Sequence, residues 1–393
     1  MTAKRLGIIL NRVPGYSETF FRSKIAGLNR KGYEIYLFAH GTKNLKIDGA
    51  KIVFSPKVSK FVVLQAVIMI WTLVKMLLFI PGRVSKFINL EKKDGTSNFE
   101  ILRRLYLNSH ILSSNNDILY FGFLTVALER ENVAKAIGAK MYVGVRGYDI
   151  SIYPLKNPGC YSLLWDKTDK IHVISDALKR KVYNHGFPGS KDIIKITPAI
   201  DYKKFYKRRE PEKKEVTNVS TVGRLTWKKG YEYSFAALKK LKEKGYKIKY
   251  NVIGDGDDYE RLKFAAYQYG IVDMVEFHGA LSHKRIVESL WNTDIYLQPS
   301  VQEGFCNAAL EAQAAGCLSI VSDAEGLPEN VLNEITGWVV PRRDVQELAN
   351  RIESVINLKA DKKLEVIENA QKRVKEEFNI DGQITKFIEF YEN

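Results

Sequence analysis

Short apolar runs alternate with longer amphipathic segments along this chain, and that alternation constrains the fold more than any other feature. The runs in the first half are LGIIL, EIYLFAH, DILYFGF, KMYVGV and KIHVISD. Those in the second half are VSTVGRL, YKIKYNVIG, MVEFHG, DIYLQPS, LSIVS and GWVV. Runs of this length predict strands, and the segments between them predict helices. Strands separated by helices pair in parallel, so we expect an α/β fold of two doubly wound, Rossmann-like domains.

The length of the chain, 393 residues, also favours two domains, because a single hydrophobic core rarely grows so large. We expect an N-terminal domain over residues 1–200 and a C-terminal domain over residues 216–378. Residues 201–215 are highly charged and lack apolar periodicity, so they predict a linker. Residues 379–393 predict a last helix able to pack back on the first domain. The two sheets are expected to face each other across a central cleft.

The net charge of +16 comes from an excess of lysine and arginine in the first half of the chain. Such an asymmetry favours contact with a polyanion or an anionic membrane surface, although a generally basic surface is the alternative. The three cysteines, Cys160, Cys306 and Cys317, have neither disulfide nor metal-ligand spacing, and the six histidines form no ligand motif. The start of the chain, MTAKRLGIIL, predicts a first strand rather than a signal peptide. We therefore expect a cytoplasmic protein without a metal site.

One apolar stretch, Phe61 to Ile80, has about the length that crosses a bilayer. Gln65 and Lys75 interrupt it, and Arg83 and Lys86 follow it. Three alternatives stay open from the sequence: a membrane span, a helix that lies on a membrane surface or lines an acceptor groove, and a helix buried in the first domain.

The segment PSVQEGFCNAALEAQAAG, residues 299–316, carries the strongest chemical signal. It predicts a strand end, a glycine turn at Gly304, and a helix whose first backbone N–H groups, near Phe305, Cys306 and Asn307, are free to bind phosphate. Glu303 and Glu311 bracket the start of this helix. Each carboxylate can accept two hydrogen bonds from a diol, which suits the sugar and the ribose of a nucleotide sugar. Two glutamates eight residues apart are, by themselves, also common on solvated surfaces.

Other candidate residues follow strands. Arg224 and Lys229 come after VSTVGRL, where paired cations can neutralise a diphosphate without a metal ion. Gly254 and Gly256 form a strand-end turn that would let a nucleotide come close, although most such turns are only tight loops.

In the first half, Gly15 lies in the first strand-to-helix turn. Ser17, Glu18 and Thr19 are suited to capping the helix that follows it. Arg146 and Asp149 follow the strand KMYVGV, where a structural pair is the alternative to a catalytic role.

The motifs VGRLTWKKG, IGDGDD, VEFHG, VSDAEGLPENV and GWVVPRRD, together with residues 299–316, resemble the retaining glycosyltransferases of family 4, which have the GT-B architecture. PGYSETFF, RGYDI and ITPAIDYKKF extend the likeness into the first half, in the manner of the exopolysaccharide and colanic-acid branch. The resemblance implies that Arg224 and Lys229 contact the donor phosphates. It also implies that the turn at Gly15 faces them. Arg146 stands where many family members have histidine, so an imidazole role is replaced here by a permanent cation.

From these residues we expect transfer of a hexosyl group from a UDP- or GDP-sugar to a saccharide or polyprenyl-diphosphate-linked acceptor. The resemblance implies retention of anomeric configuration. No cofactor or metal ion is expected, nucleic acid is not an expected partner, and the place of action is the inner face of the cytoplasmic membrane. The alternatives are a nucleotide-sugar epimerase of the same architecture and a non-catalytic polyanion-binding protein.

Overall fold

The structure is a computed structural model that describes residues 4–15, 19–41, 45–210 and 214–392. Its contacts divide the chain into two compact units. Unit 1 comprises Met1–Ile174, Leu178–Ile196 and Ile384–Asn393, and unit 2 comprises Ser175–Ala177 and Thr197–Gln383.

Unit 1 contains a parallel sheet of seven strands in the order β3-β2-β1-β4-β5-β6-β7 among its described residues. Its elements are β1 (Arg5–Arg12), α1 (Thr19–Arg30), β2 (Glu34–His40), β3 (Lys51–Phe54), α2 (Val62–Phe79), α3 (Pro81–Lys93), α4 (Asn98–Leu112), β4 (Ile118–Phe121), α5 (Leu124–Ala127), α6 (Val133–Ile137), β5 (Lys140–Val145), α7 (Gly147–Ser151), α8 (Tyr153–Lys156), α9 (Ser162–Lys167), β6 (Lys170–Val173), α10 (Asp176–Asn184) and β7 (Asp192–Lys195). The central strands are buried on both faces, as helix-covered parallel sheets require.

Unit 2 contains a parallel sheet of six strands in the order β10-β9-β8-β11-β12-β13 among its described residues. Its elements are α11 (Tyr202–Phe205), β8 (Thr217–Val222), α12 (Tyr231–Glu243), β9 (Ile248–Ile253), α13 (Tyr259–Gln268), β10 (Val275–Gly279), α14 (His283–Trp291), β11 (Ile295–Gln298), α15 (Asn307–Ala314), β12 (Leu318–Ser322), α16 (Leu327–Asn330), β13 (Trp338–Val340), α17 (Val345–Ile356) and α18 (Ala360–Glu377); α19 (Ile380–Glu392) follows. The expectation of two parallel-sheet α/β units is confirmed.

Two strands, β3 and β7, form the two edges of the sheet in unit 1 and were not predicted from the sequence. Each has four residues, and each is flanked or interrupted by charged side chains. An edge strand needs few buried residues, so its apolar signal is weak.

The stretch expected to be a linker, residues 201–215, groups with unit 2. Its Arg209 guanidinium donates to the carbonyl oxygens of Ala315, Leu290 and Thr293 at 2.8–3.0 Å. Backbone carbonyls at the ends of helices lack hydrogen-bond donors within the helix, and the Arg209 guanidinium provides such donors here. The described part of this stretch is therefore anchored by polar contacts, which apolar periodicity does not reveal.

Helix α2 is exposed along most of its surface. Within α2, all of which the structure describes, only Met76 is buried. The alternative of a helix buried in the first domain is therefore wrong. By length and apolar composition α2 is the one helix among the described residues that could cross a membrane.

The C-terminal segment of α19 packs within unit 1 around a buried lysine. Lys24 of α1 is 2% exposed. Its Nζ lies 3.4 Å from the ring centre of Tyr120 and 3.8 Å from that of Phe387, which belongs to α19. Among the described residues Nζ has no hydrogen-bond partner. Burial, and then the charge of Arg146, lower the pKa of Lys24 well below its usual value.

We predict that Lys24→Met stabilises the protein at neutral pH by about 1–2 kcal/mol, because it removes the desolvation of a buried amine. Since the pKa of Lys24 is lower in the folded than in the unfolded chain, wild-type stability should also rise as the pH approaches 10.5, and the variant should lack this rise. Urea unfolding at several pH values measures both effects. Lys31→Met, at an exposed position, is the control. Equal pH slopes in Lys24→Met and wild type would contradict the prediction.

Candidate active site

The carboxyl end of the sheet in unit 2 gathers the loops that follow four of its strands. The strand order reverses between β8 and β11, and ligands of open α/β sheets bind where the order reverses. The loop after β8 carries Arg224, and the loop after β11 carries Glu303. The glycine turn after β9 and the loop after β12 lie at the same edge.

Lys229 and Glu303 form an ion pair at this edge, with side-chain exposures of 17% and 15%. Gly230 turns the chain at the base of the pair, with a φ of +68°. A Cβ at Gly230 would lie 2.1 Å from the carbonyl oxygen of Pro299, so only glycine lets the two loops approach this closely. Burial lowers the pKa of Lys229, but the charge and hydrogen bond of Glu303 outweigh it and raise the pKa above its usual value.

Two further cations, Arg224 and Lys228, surround the pair. Arg224 is exposed, and Lys228 is half-buried. Burial and then the positive charge of Arg224 lower the pKa of Lys228. The positive charge of Arg224 also acts to lower the pKa of Lys229, against the larger opposite effect of Glu303. Three cations against two glutamates, Glu303 and Glu325, still leave a local excess of positive charge, which favours an anionic ligand such as a diphosphate. Lys228 was not among the predicted residues, although it is adjacent to Lys229.

Glu311 lies in the second turn of α15 and is half-buried. Burial raises its pKa to about 7. No cation within the described residues forms an ion pair with it. A carboxylate that is buried without a cation lowers the stability of the folded protein when it ionises, and such groups are concentrated at ligand sites.

The start of α15 differs from the expectation in one respect. The backbone N–H of Cys306 donates to Asn330 Oδ1 at 3.0 Å, and Asn330 Nδ2 donates back to the Cys306 carbonyl at 3.1 Å. Cys306 is therefore not free to bind phosphate, which corrects the prediction. The N–H groups of Phe305 and Asn307 have no acceptor among the residues that the structure describes. The Phe305 ring itself is buried, 5.9 Å from the ring of Phe378.

The glycines after β9 are required by the protein itself. A Cβ at Gly254 would lie 2.0 Å from the carbonyl oxygen of Gly223, and one at Gly256 would lie 2.4 Å from that of Leu225. The two glycines thus let this turn pack against the turn that carries Arg224. Their predicted contact with a nucleotide stays a prediction.

The loop after β12 holds the Glu303 loop in place. Gly326 N–H donates to the Glu303 carbonyl at 2.9 Å, and Gln302 Nε2 donates to Glu325 Oε2 at 2.7 Å. Glu325 has a φ of +46°, a left-handed conformation that costs a non-glycine residue about 1–2 kcal/mol. Strain of this kind persists where the surroundings enforce it, often at functional sites. Glu325 could not be found by reasoning from the sequence, since its role depends on backbone conformation.

Arg146 and Asp149 belong to unit 1. Asp149 is buried, and its two oxygens accept hydrogen bonds from the Thr125 hydroxyl at 3.0 Å and from the backbone N–H of Arg146 at 3.1 Å. It caps α7, and burial raises its pKa to about 6. Asp149 therefore has a structural role in capping α7, and its predicted catalytic role stays a prediction. The Arg146 guanidinium stacks 4.8 Å from the ring centre of Phe20, and its role near a reacting sugar stays a prediction.

Gly15 lies at the end of a described segment, with open space where a Cβ would be. Ser17, Glu18 and the side chain of Thr19 lie outside the described residues. In the parts of the chain that the structure describes, no three histidine, cysteine, aspartate or glutamate side chains are grouped as metal ligands.

We predict that Glu311→Gln stabilises the protein by about 1–2 kcal/mol at pH 8. The pKa of Glu311 is about 7 in the folded chain against 4.5 in the unfolded chain, so wild-type stability falls as the pH rises from 4.5 through 7. The glutamine variant should lack this fall. Thermal unfolding between pH 5 and pH 8 measures the difference, with Glu368→Gln on α18 as control. A variant less stable than wild type at pH 8 would argue against an uncompensated carboxylate.

Comparison with known proteins gives a family match over residues 203–373, to the glycosyl transferases group 1. The putative colanic acid biosynthesis glycosyltransferase WcaL of Escherichia coli (strain K12) is 29% identical over 270 residues. That match covers 67% of this chain and 66% of WcaL, slightly under two thirds of its length.

Solved structures extend the likeness to the whole fold. Sucrose-phosphate synthase from Thermosynechococcus elongatus superposes with a TM-score of 0.73 at 17% identity, over 99% of this chain and 98% of that one. HepE from Anabaena, solved in complex with UDP and glucose, superposes with a TM-score of 0.70 at 16% identity, over 99% of both chains. Residues 203–373 therefore match the glycosyl transferases group 1 family, and the two parallel-sheet α/β units have the fold of the GT-B glycosyltransferases.

Proposed function

We propose that this protein is a glycosyltransferase of family 4 that transfers a hexosyl group from a UDP- or GDP-sugar to an acceptor hydroxyl in exopolysaccharide or capsule biosynthesis. The observation that carries the proposal is the cluster of Arg224, Lys228 and Lys229 around Glu303 at the carboxyl edge of unit 2. The relatives named for colanic acid biosynthesis support the pathway, and the UDP in HepE supports a uridine donor.

In the proposed donor complex, the diphosphate lies among the three cations. The Lys229 ammonium, now paired with Glu303, would donate to a phosphate oxygen as well. Glu303 would then accept hydrogen bonds from the sugar hydroxyls. Because the cations neutralise the diphosphate as the anomeric bond breaks, they stabilise the leaving group directly, and we propose that no metal ion is needed.

At the other end of the donor, Glu311 would accept hydrogen bonds from the ribose hydroxyls. The N–H groups of Phe305 and Asn307, with the dipole of α15, would add to the binding of phosphate between the two glutamates. The ionised form of Glu311 is the one that accepts from a diol.

We propose retention of anomeric configuration, with departure and attack on the same face of the sugar. Among the residues described around Glu303, we identify no carboxylate that is both free of structural partners and suited to act as a covalent nucleophile. The leaving diphosphate would accept the proton of the attacking hydroxyl. The acceptor is a saccharide or a lipid-linked saccharide, and the place of action is the inner face of the cytoplasmic membrane.

Donor binding without metal tests the proposal. UDP-glucose, UDP-galactose, UDP-GlcNAc and GDP-mannose are screened by thermal shift in EDTA, and we expect one nucleotide class to stabilise the wild type. Arg224→Ala should weaken binding about 10- to 100-fold, since a charge-assisted hydrogen bond contributes about 1.5–3 kcal/mol. Lys239→Ala, exposed on α12, is the control.

The outcome of that screen separates the alternatives. No response to any nucleotide sugar, together with binding to generic polyanions, would favour a non-catalytic polyanion-binding protein. Interconversion of donor sugars without transfer would favour an epimerase.

Retention has its own measurement. Proton NMR of the first product of transfer should show an anomeric coupling that matches the α or β configuration of the donor. A product of opposite configuration would refute the same-face mechanism while leaving the donor assignment intact.

A further inference from the structure

Helix α2 presents an apolar face away from the protein. Val63, Val67, Ile70, Trp71, Val74 and Leu78 lie on this face, and all are exposed, Trp71 by 61%. The opposite face carries Gln65, Thr72 and Met76 and packs against α3 and α4. The usual arrangement of a surface helix is therefore inverted, with the apolar side turned outward. Patches of this kind mark surfaces that bind a partner or a membrane.

The charges around α2 are of one sign. Residues 49–90 contain no aspartate or glutamate but six lysines and arginines. Lys57 and Lys60 precede the helix, Lys75 lies within it, and Lys86 follows it; all four are exposed. The Lys75 ammonium lies 5.0 Å from the ring centre of Trp71, at the border of the apolar face. An apolar face bordered by cations complements an anionic lipid surface, where the methylenes enter the lipid and the ammonium groups meet the headgroups.

The two flanks of α2 exclude a single crossing of the bilayer. Before α2, strand β3 pairs with β2 in the sheet of unit 1. After α2, helix α3 buries Val84 and Phe87 in the same unit. Glu91, at its end, accepts hydrogen bonds from Arg104 and Asn132. Both flanks therefore lie in one folded unit and on one side of any membrane.

We propose that α2 lies in the plane of an anionic membrane, with its apolar face in the lipid and the lysines around it on the headgroups. Membrane binding is a property of unit 1 and is separate from donor chemistry. Only its purpose, to bring the protein to a lipid-linked acceptor, rests on the proposed function.

Vesicle binding tests the proposal. The full-length protein is sedimented with vesicles of phosphatidylglycerol and phosphatidylethanolamine, and with vesicles of phosphatidylcholine alone. We expect binding to the anionic vesicles to be at least tenfold tighter and to weaken at high salt. Emission of Trp71 should shift to the blue on binding, and Trp71→Phe should lose most of that shift.

Matched variants locate the binding surface. Val67→Glu with Leu78→Glu places two charges on the apolar face of α2 and should weaken vesicle binding at least tenfold. Phe264→Glu with Tyr267→Glu makes the same change on an exposed face of α13 in unit 2 and should leave binding unchanged. All four positions are exposed, so thermal unfolding should be similar in the three proteins.

Several results would overturn the proposal. One is a failure of the wild type to bind anionic vesicles, and another is vesicle binding by the α2 variant as tight as that of the wild type. A third is a wild-type dimer in light scattering that is absent in the α2 variant, because a second copy of the chain would then cover α2. Donor binding is measured on the same proteins without vesicles. A failure of membrane binding is thereby distinguished from a failure of the proposed function.

Discussion

Parallel pairing of the strands is the constraint on which the rest of unit 2 depends. Because all strands run in one direction, their carboxyl ends meet at one edge, and residues far apart in sequence become neighbours there. The Lys229–Glu303 pair joins loops separated by 74 positions. Asn330, at the end of α16, ties that helix to the start of α15. The close approach of the loops at Gly230 and Gly254 leaves no room for a side chain, so the positions of the charged groups follow from backbone packing.

The central strands of unit 2, such as β11 and β12, could be predicted from the sequence because each is a short buried run bounded by glycine, proline or charged residues. The edge strands of unit 1 could not, because β3 and β7 have few buried residues. Hydropathy identified α2 as an apolar helix but did not decide whether it is buried, since a buried helix and an exposed one have the same composition. In the structure, α3 and α4 pack against one side of α2 only, and the other side is exposed.

The site was predicted in outline and corrected in detail. Arg224, Lys229, Glu303 and Glu311 are at the edge that the motifs indicated. The partners of Cys306 and Asp149 were not visible, because Asn330 and Thr125 lie 24 residues away from them in sequence. Lys24 is a further case, since its aromatic partner Phe387 comes from the other end of the chain. Periodicity reports local structure, whereas these contacts depend on tertiary structure.

The raised pKa of Glu311 connects the proposed donor site to the proton concentration of its surroundings. With a pKa of about 7, the carboxyl group is partly protonated in the free protein near neutral pH. A donor that binds only the carboxylate would release a fraction of a proton for each molecule bound. The enthalpy of binding would then include the heat of ionisation of whichever buffer takes up that proton. Two buffers of equal pH would give different calorimetric enthalpies for the same donor, and their difference would count the protons released.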